Sequence, residues 1–153
     1  MPFTCEIKEL PVQQALSVRT RSPVENLPNV IGQTYGTIIQ YMSELGEQPA
    51  GAPFVAYYNM DMTDLDLEIG FPVNRELPGK GVVQPSRIPG GRTGTCMYTG
   101  PYQEIAPAYD ALAKLIAEKG LEPTGVAYEI YYNSPMDTEP SKLQTLILFP
   151  IKS

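Results

Sequence analysis

Glu129 stands in the run Ala127-Tyr128-Glu129-Ile130-Tyr131-Tyr132, a single carboxylate among apolar and aromatic neighbours. Alternation along an extended strand puts Glu129 and Tyr131 on one face and Tyr128, Ile130 and Tyr132 on the other. Two readings of the residue follow. On the solvent side of a sheet it is an ordinary surface charge. Inside an aromatic-lined cavity, desolvation raises its pKa, and a delocalised organic cation completes the site through charge and ring-face attraction. Glu68 poses the same question, but Asp64 and Asp66 share its face, so the solvent side is the expectation there. Tyr35 and Tyr109 fall on apolar helical stripes and are expected in the core. Asn59 and Asn133 are expected to start hairpin turns.

Few other groups are available for chemistry. The chain has no histidine, which removes Ser-His-Asp and Cys-His catalysis and histidine-ligated zinc or haem. Cys5 and Cys96 are far apart with no CxxC spacing, and each lies in a strand-like stretch, so buried free thiols are expected. Carboxylates, tyrosines and backbone must carry any reaction, and no cofactor or metal is expected. Net charge is −6, with eleven Lys and Arg residues scattered along the chain. A phosphate-gripping surface needs a concentrated basic face, so direct nucleic-acid binding is not expected. No apolar run reaches the length of a membrane span, and the N-terminus lacks the basic-then-apolar order of a signal peptide. The expected setting is the cytoplasm, with no membrane partner.

The elements that position these residues come in two copies. Placing Ile31–Asn59 over Ile105–Asn133 (105 − 31 = 74) leaves no gap across 29 positions, and nine are identical. About two would match by chance at typical residue frequencies. The matches include Tyr35/Tyr109, Gly46/Gly120, Tyr57/Tyr131, Tyr58/Tyr132 and Asn59/Asn133. Outside this block the offset is 88 − 10 = 78, which sets Leu10-Pro11 on Ile88-Pro89 and Phe71-Pro72 on Phe149-Pro150. Copy one therefore carries extra residues at its helix start, and copy two carries them in its last hairpin. The chain is read as one domain over 1–153, with repeat one at about 1–78 and repeat two at about 79–153.

Each copy reads as β-β-α-β-β. Residues 82–88 and 92–98 are strand-like and joined at the turn signal Pro89-Gly90-Gly91. In copy two a helix follows Gly100-Pro101, proline taking the first helical position, with Ile105, Tyr109, Leu112 and Ile116 on one face. In copy one Ser22-Pro23-Val24-Glu25 has the pattern of a capping box. Ile31, Tyr35, Ile38, Met42 and Leu45 form the stripe, and Gly46 and Gly120 end the two helices. In the last strand of copy one, Leu65, Leu67, Ile69 and Phe71 alternate with Asp64, Asp66, Glu68 and Gly70. The fold class is α+β: duplicated units with pseudo-twofold symmetry, an antiparallel sheet, two helices on one face and a cleft between repeats. Asymmetry between equivalent positions marks specialisation. Val55 corresponds to Glu129, while Glu68 and Gly70 correspond to Leu146 and Leu148.

Five runs in order resemble the GyrI-like family: Asp66–Val73, Ile88-Pro89-Gly90-Gly91-Arg92, Tyr98-Thr99-Gly100-Pro101-Tyr102, Glu129-Ile130-Tyr131 and Leu143-Gln144-Thr145. That family includes effector-binding domains of bacterial multidrug-responsive transcription regulators. The resemblance implies a ligand cleft between repeats and a buried glutamate, at Glu129, that meets cationic or polar groups of lipophilic ligands. It implies further contacts at Tyr131, Leu146, Leu148, Tyr102 and Ile105, to which Tyr57 and Glu68 are added from the first repeat. Relatives often carry Glu and Tyr where this chain has Leu146 and Leu148, which makes its pocket more apolar. The chain is expected to be a stand-alone member without a helix-turn-helix domain.

The function expected first is a binding protein for lipophilic, often cationic aromatic compounds. An alternative is a hydrolase of cyclopropane-bearing genotoxic compounds with Glu129 as general base. A third is a protein-interaction module, such as a topoisomerase inhibitor, with a protein partner.

Overall fold

The computed structural model describes residues 3–152. Their elements run β1 (Phe3–Leu10), β2 (Gln13–Ser22), α1 (Leu27–Glu44), β3 (Phe54–Tyr57), β4 (Leu65–Pro72), β5 (Gln84–Ile88), β6 (Gly91–Thr99), α2 (Ala106–Glu118), β7 (Ala127–Tyr131) and β8 (Gln144–Pro150). The class is α+β, with antiparallel strand pairs and two helices. The element order is β-β-α-β-β twice, as the repeat requires.

Two compact units emerge, and their limits differ from those of the repeats. One holds Val12–Pro89; the other holds the segments on either side of it. In the first unit the strand order is β3-β4-β2-β5, and in the second it is β1-β6-β8-β7. The first strand of each repeat thus pairs in the other unit: β5 with β2, and β1 with β6. The reason lies in the links Pro11-Val12 and Pro89-Gly90. A two-residue hairpin of type I′ or II′ needs a positive φ at its first central residue, and proline locks φ near −65°. A tight return is excluded, so Pro89-Gly90-Gly91 turns the chain without pairing β5 to β6.

Within each unit the pairing repeats residue for residue. Phe54 faces Gly70 as Tyr128 faces Leu148; Leu16 faces Phe71 as Gly94 faces Phe149; Gln13 faces Ile88 as Gly91 faces Leu10. The hairpin turns match too. Asn59 Oδ1 accepts from the Asp66 N–H at 3.0 Å, and Asn133 Oδ1 accepts from the Gln144 N–H at 2.8 Å. Each asparagine amide also reaches back to a carbonyl, that of Asp64 or Lys142. The short polar side chain closes the turn by doing the work of backbone.

The helices pack where their stripes predict. In the first unit Ile38, Tyr41 and Met42 of α1 lie on Leu16, Val18 and Phe71, with Tyr35 and Leu45 at the margin. In the second, Ala108, Leu112 and Ile116 of α2 lie on Cys96, Tyr98 and Ile147. Tyr35 meets Phe71 with ring centroids 5.2 Å apart, and Tyr109 meets Phe149 at 5.4 Å. Gly46 and Gly120 take φ of 71° and 70°. After each, an N–H bonds five residues back, Glu47 to Met42 and Leu121 to Ile116, which closes the helix end.

The helix starts differ from expectation. No side-chain cap forms at either helix, and Ser22 Oγ donates to the Pro23 carbonyl instead. A 3-10 turn intervenes each time, Val24–Asn26 or Tyr102–Glu104, and the α-helices begin at Leu27 and Ala106 with Pro28 and Pro107 in the first turn. The capping-box pattern at Ser22 therefore sits one turn too early, and Pro101 precedes the 3-10 turn rather than opening α2. Among the described residues no helix is long and apolar enough to cross a membrane.

Candidate functional site

Strand β7 carries Glu129 opposite Ile147 of β8, and Tyr131 opposite Thr145. Directly paired residues share a face, and Ile147 packs with Leu112 and Ile116 of α2. Glu129 and Tyr131 therefore point to the helix side of this unit. There α2 supplies a partner that the sequence reading assigned only to the core. The Tyr109 hydroxyl donates to Glu129 Oε2, and the Tyr131 hydroxyl donates to Oε1 at 2.7 Å. Each carboxylate oxygen is held by one phenol. Tyr102, in the 3-10 turn before α2, sets its ring edge-on to Tyr131 with centroids 5.7 Å apart. Ile105 packs against the core cluster beside Tyr109.

Burial pushes the Glu129 carboxyl above the usual carboxylate range, and the two phenol hydrogen bonds pull back only part of the rise. Burial also raises the Tyr102 phenol, with the negative charge of Glu129 adding to it. No lysine or arginine among the described residues forms an ion pair with Glu129. The result is a desolvated acid dressed by hydroxyls and rings, with no ion-pair partner among the described residues.

The raised pKa gives a sign to the pH dependence of stability. A carboxyl whose pKa is higher in the folded than in the unfolded chain contributes stability at pH below its unfolded value. That contribution is lost as the pH rises through the folded value. Glu129→Gln cannot ionise, so it should gain stability relative to wild type over that window. Thermal denaturation of both proteins from acid to neutral pH checks this. The two curves must diverge as pH rises; parallel curves would show that Glu129 titrates as it does in the unfolded chain.

Other predicted site residues divide differently. Leu146 and Leu148 pair with Ile130 and Tyr128 and share their face, opposite that of Glu129. They cannot line the Glu129 site within this unit, because a period of two fixes the side each takes. In the Val12–Pro89 unit, Tyr57 pairs with Leu67 and shares its face, while Glu68 is on the reverse face with Ala56 and Arg19. The expectation of a solvent-facing Glu68 is overturned. Asp64, just before β4, is exposed, while along β4 Asp66 is half-buried and Glu68 buried, at 6% exposure. Ser17 Oγ donates to Glu68 Oε2 at 2.7 Å, the Tyr58 hydroxyl to Oε1 at 2.6 Å, and Ser86 Oγ also to Oε2. The neighbouring Arg19 is engaged elsewhere. It forks onto Asp66 at 2.7 and 2.9 Å, holding that carboxyl below its usual range, and stacks 3.8 Å over the Tyr58 ring. Three hydroxyls from separate strands and loops cover Glu68, and no hydrophobic period along β4 encodes them.

Tyr109 is the site residue that sequence reasoning missed. One signal for it was present: on the duplicated scaffold Tyr35 and Tyr109 are the same residue, and Val55 has become Glu129 beneath only one of them. Among the described residues no group of three or more carboxylates and cysteines is placed to hold a metal ion.

No curated protein sequence matches the chain. Among solved structures, the EcmrR chain in its DNA complex within the EcmrR–RPo assembly matches with a TM-score of 0.85 at 21% identity. All of this chain is covered, but it spans only 59% of that one. The EcmrR C-terminal domain alone matches at 0.81 and 22% identity, covering 100% of this chain and 99% of that one. A hydrolase from Listeria innocua matches at 0.70 and 18% identity, covering 97% and 91%. Identities this low establish shared fold and nothing finer. The family model of the GyrI-like small molecule binding domain matches residues 3–152, so the chain belongs to that family.

Proposed function

We propose that the chain binds lipophilic aromatic cations against Glu129, with Tyr102, Tyr109, Tyr131 and Ile105 supplying rings and apolar surface. One observation carries the reading: a partly buried carboxylate with two phenol donors and no cationic partner among the described residues. A desolvated charge is costly unless it is matched, and a bound cation matches it. Aromatic faces nearby favour a delocalised cation over a compact hydrated one. The net charge of −6 acts in the same direction, modestly and at longer range.

Titration with a fluorescent lipophilic cation, beside a neutral dye of the same ring system, tests the proposal. The cation should bind the native protein more tightly, with its advantage shrinking as pH falls and Glu129 becomes protonated. Equal affinities at every pH would remove Glu129 as the cation's partner.

A second reading is favoured by the raised pKa of Glu129, since a carboxyl tuned upward is a better general base near neutrality. In that reading Glu129 takes a proton from water as the water oxygen attacks an electrophilic cyclopropane carbon. The ring bond breaks, and its electron pair passes to the activating carbonyl. Incubation with an electrophilic cyclopropane compound, monitored for ring-opened product, separates catalysis from binding.

A further inference from the structure

We infer that Cys5 and Cys96 form a modification site for peroxide-class oxidants, closing into a cross-strand disulfide that fastens β1 to β6. The two thiols are direct partners in the antiparallel β1–β6 ladder, although most of the chain separates them in sequence. The backbone pattern further specifies the pair. The Ile151 N–H bonds to the Arg92 carbonyl and the Gly100 N–H to the Leu143 carbonyl, each between residues in register across β6 and β8. Every second residue of β6 from Arg92 to Gly100, Cys96 included, thus turns its backbone polar groups towards β8. Towards β1, then, Cys5 and Cys96 are a non-hydrogen-bonded pair. At such positions the α-carbons approach to about 4.5 Å and the side chains lie closest. That separation is inside the range of about 4.4–6.8 Å that disulfides span.

Access and reactivity divide between the two sulfurs. Cys5 is partly exposed and Cys96 is buried. Burial and the neighbouring Cys5 thiol push the Cys96 thiol well above its usual range, so Cys96 is a poor first target for an oxidant. The sequence of events follows. The Cys5 sulfur attacks the peroxide oxygen; the O–O bond breaks, leaving a Cys5 sulfenic acid and an alcohol or water. Cys96 then attacks the Cys5 sulfur, the S–S bond forms, and the sulfenic oxygen departs as water with the Cys96 proton. Two thiols are oxidised and one peroxide is reduced.

The bond would add a covalent tie to a ladder that already runs from Phe3 to Leu10 along β1. Strand β1 ends the order β1-β6-β8-β7 and is paired only with β6 in that unit, and terminal edge strands are where domains fray. It also lies beneath α2, the helix that brings Tyr109 to Glu129. The closed ring would enclose the whole of Val12–Pro89, a long loop whose restriction in the unfolded chain is stabilising.

The test is oxidation of the native protein with hydrogen peroxide, then denaturation, alkylation and mass measurement. The expected product is a monomer that has lost two hydrogen atoms, takes no alkyl label and yields a Cys5–Cys96 linked peptide. Its denaturation midpoint should exceed that of the reduced protein and fall back on adding dithiothreitol. In Cys5→Ser, Cys96 should remain fully alkylatable after the same treatment. The inference is overturned if both thiols of the wild type still label, if Cys5 gains oxygen while Cys96 labels, or if cross-links form only between molecules. Loss of Cys96 labelling in Cys5→Ser would equally overturn it, since oxidation would not then pass through Cys5. Ligand affinity plays no part in these readouts, so they stand apart from the binding proposal.

Discussion

Tyr35→Ala and Tyr109→Ala should each lower stability by roughly 3 kcal/mol, towards the low end of the range for deleting a large aromatic because both rings are half-buried. Each ring fills the same place in its own unit, between the helix and the Phe of the last strand: Phe71 for Tyr35 and Phe149 for Tyr109. Truncation removes the ring's burial and its tilted aromatic contact, and leaves a void under the helix. Chemical denaturation should show both midpoints falling. Tyr109→Phe separates packing from polarity. It keeps the ring and removes only the hydroxyl that reaches Glu129. Stability should then drop far less, while Glu129, stripped of one donor, should become a still weaker acid. If both alanine variants keep the wild-type midpoint, the helices do not bury the stripes assigned to them.

Patterns that depend on local periodicity were legible in the sequence. The helix stripes and the glycines ending them arise from single elements, and the structure keeps them. Leu65, Leu67, Ile69 and Phe71 are buried as their alternation implies, but from Leu67 onward the intervening residues of β4 are buried as well. The repeat was legible because duplicated positions retain the same constraints, down to the asparagines that bracket both hairpins. What escaped depends on which elements meet. Proline in the two-residue links excludes a tight hairpin, but it does not say which strand β1 will find; the ladder to β6 is a tertiary fact. Glu68 read as solvent-facing because Asp64 and Asp66 share its period, yet Ser17, Ser86 and Tyr58 converge on it from other segments. Leu146 and Leu148 were grouped with Glu129, but β7–β8 register sends them to the reverse face. Register across strands, more than composition, decided which candidates share a site.

Glu129→Gln should weaken binding of a lipophilic aromatic cation about tenfold to a hundredfold, the effect of losing a charge-assisted contact of roughly 1.5–3 kcal/mol. Glutamine keeps the shape of the side chain. Its amide oxygen can accept from one phenol, while its NH2 group can donate to the other, so the positions of Tyr109 and Tyr131 need change little. What disappears is the negative charge opposite the ligand. A neutral ligand of the same shape should bind both proteins alike, and this contrast distinguishes lost electrostatics from a collapsed site. The same variant bears on the hydrolytic reading, because an amide cannot take the proton from an attacking water. Any ring-opening activity of the wild type should vanish in Glu129→Gln, even where substrate still binds. A drop in cation affinity with no wild-type turnover would leave the chain a binding protein. Abolished turnover with little change in affinity would make Glu129 a general base. If cation affinity and turnover both survive the substitution, the unmatched charge of Glu129 serves neither, and the ligand must be sought away from β7.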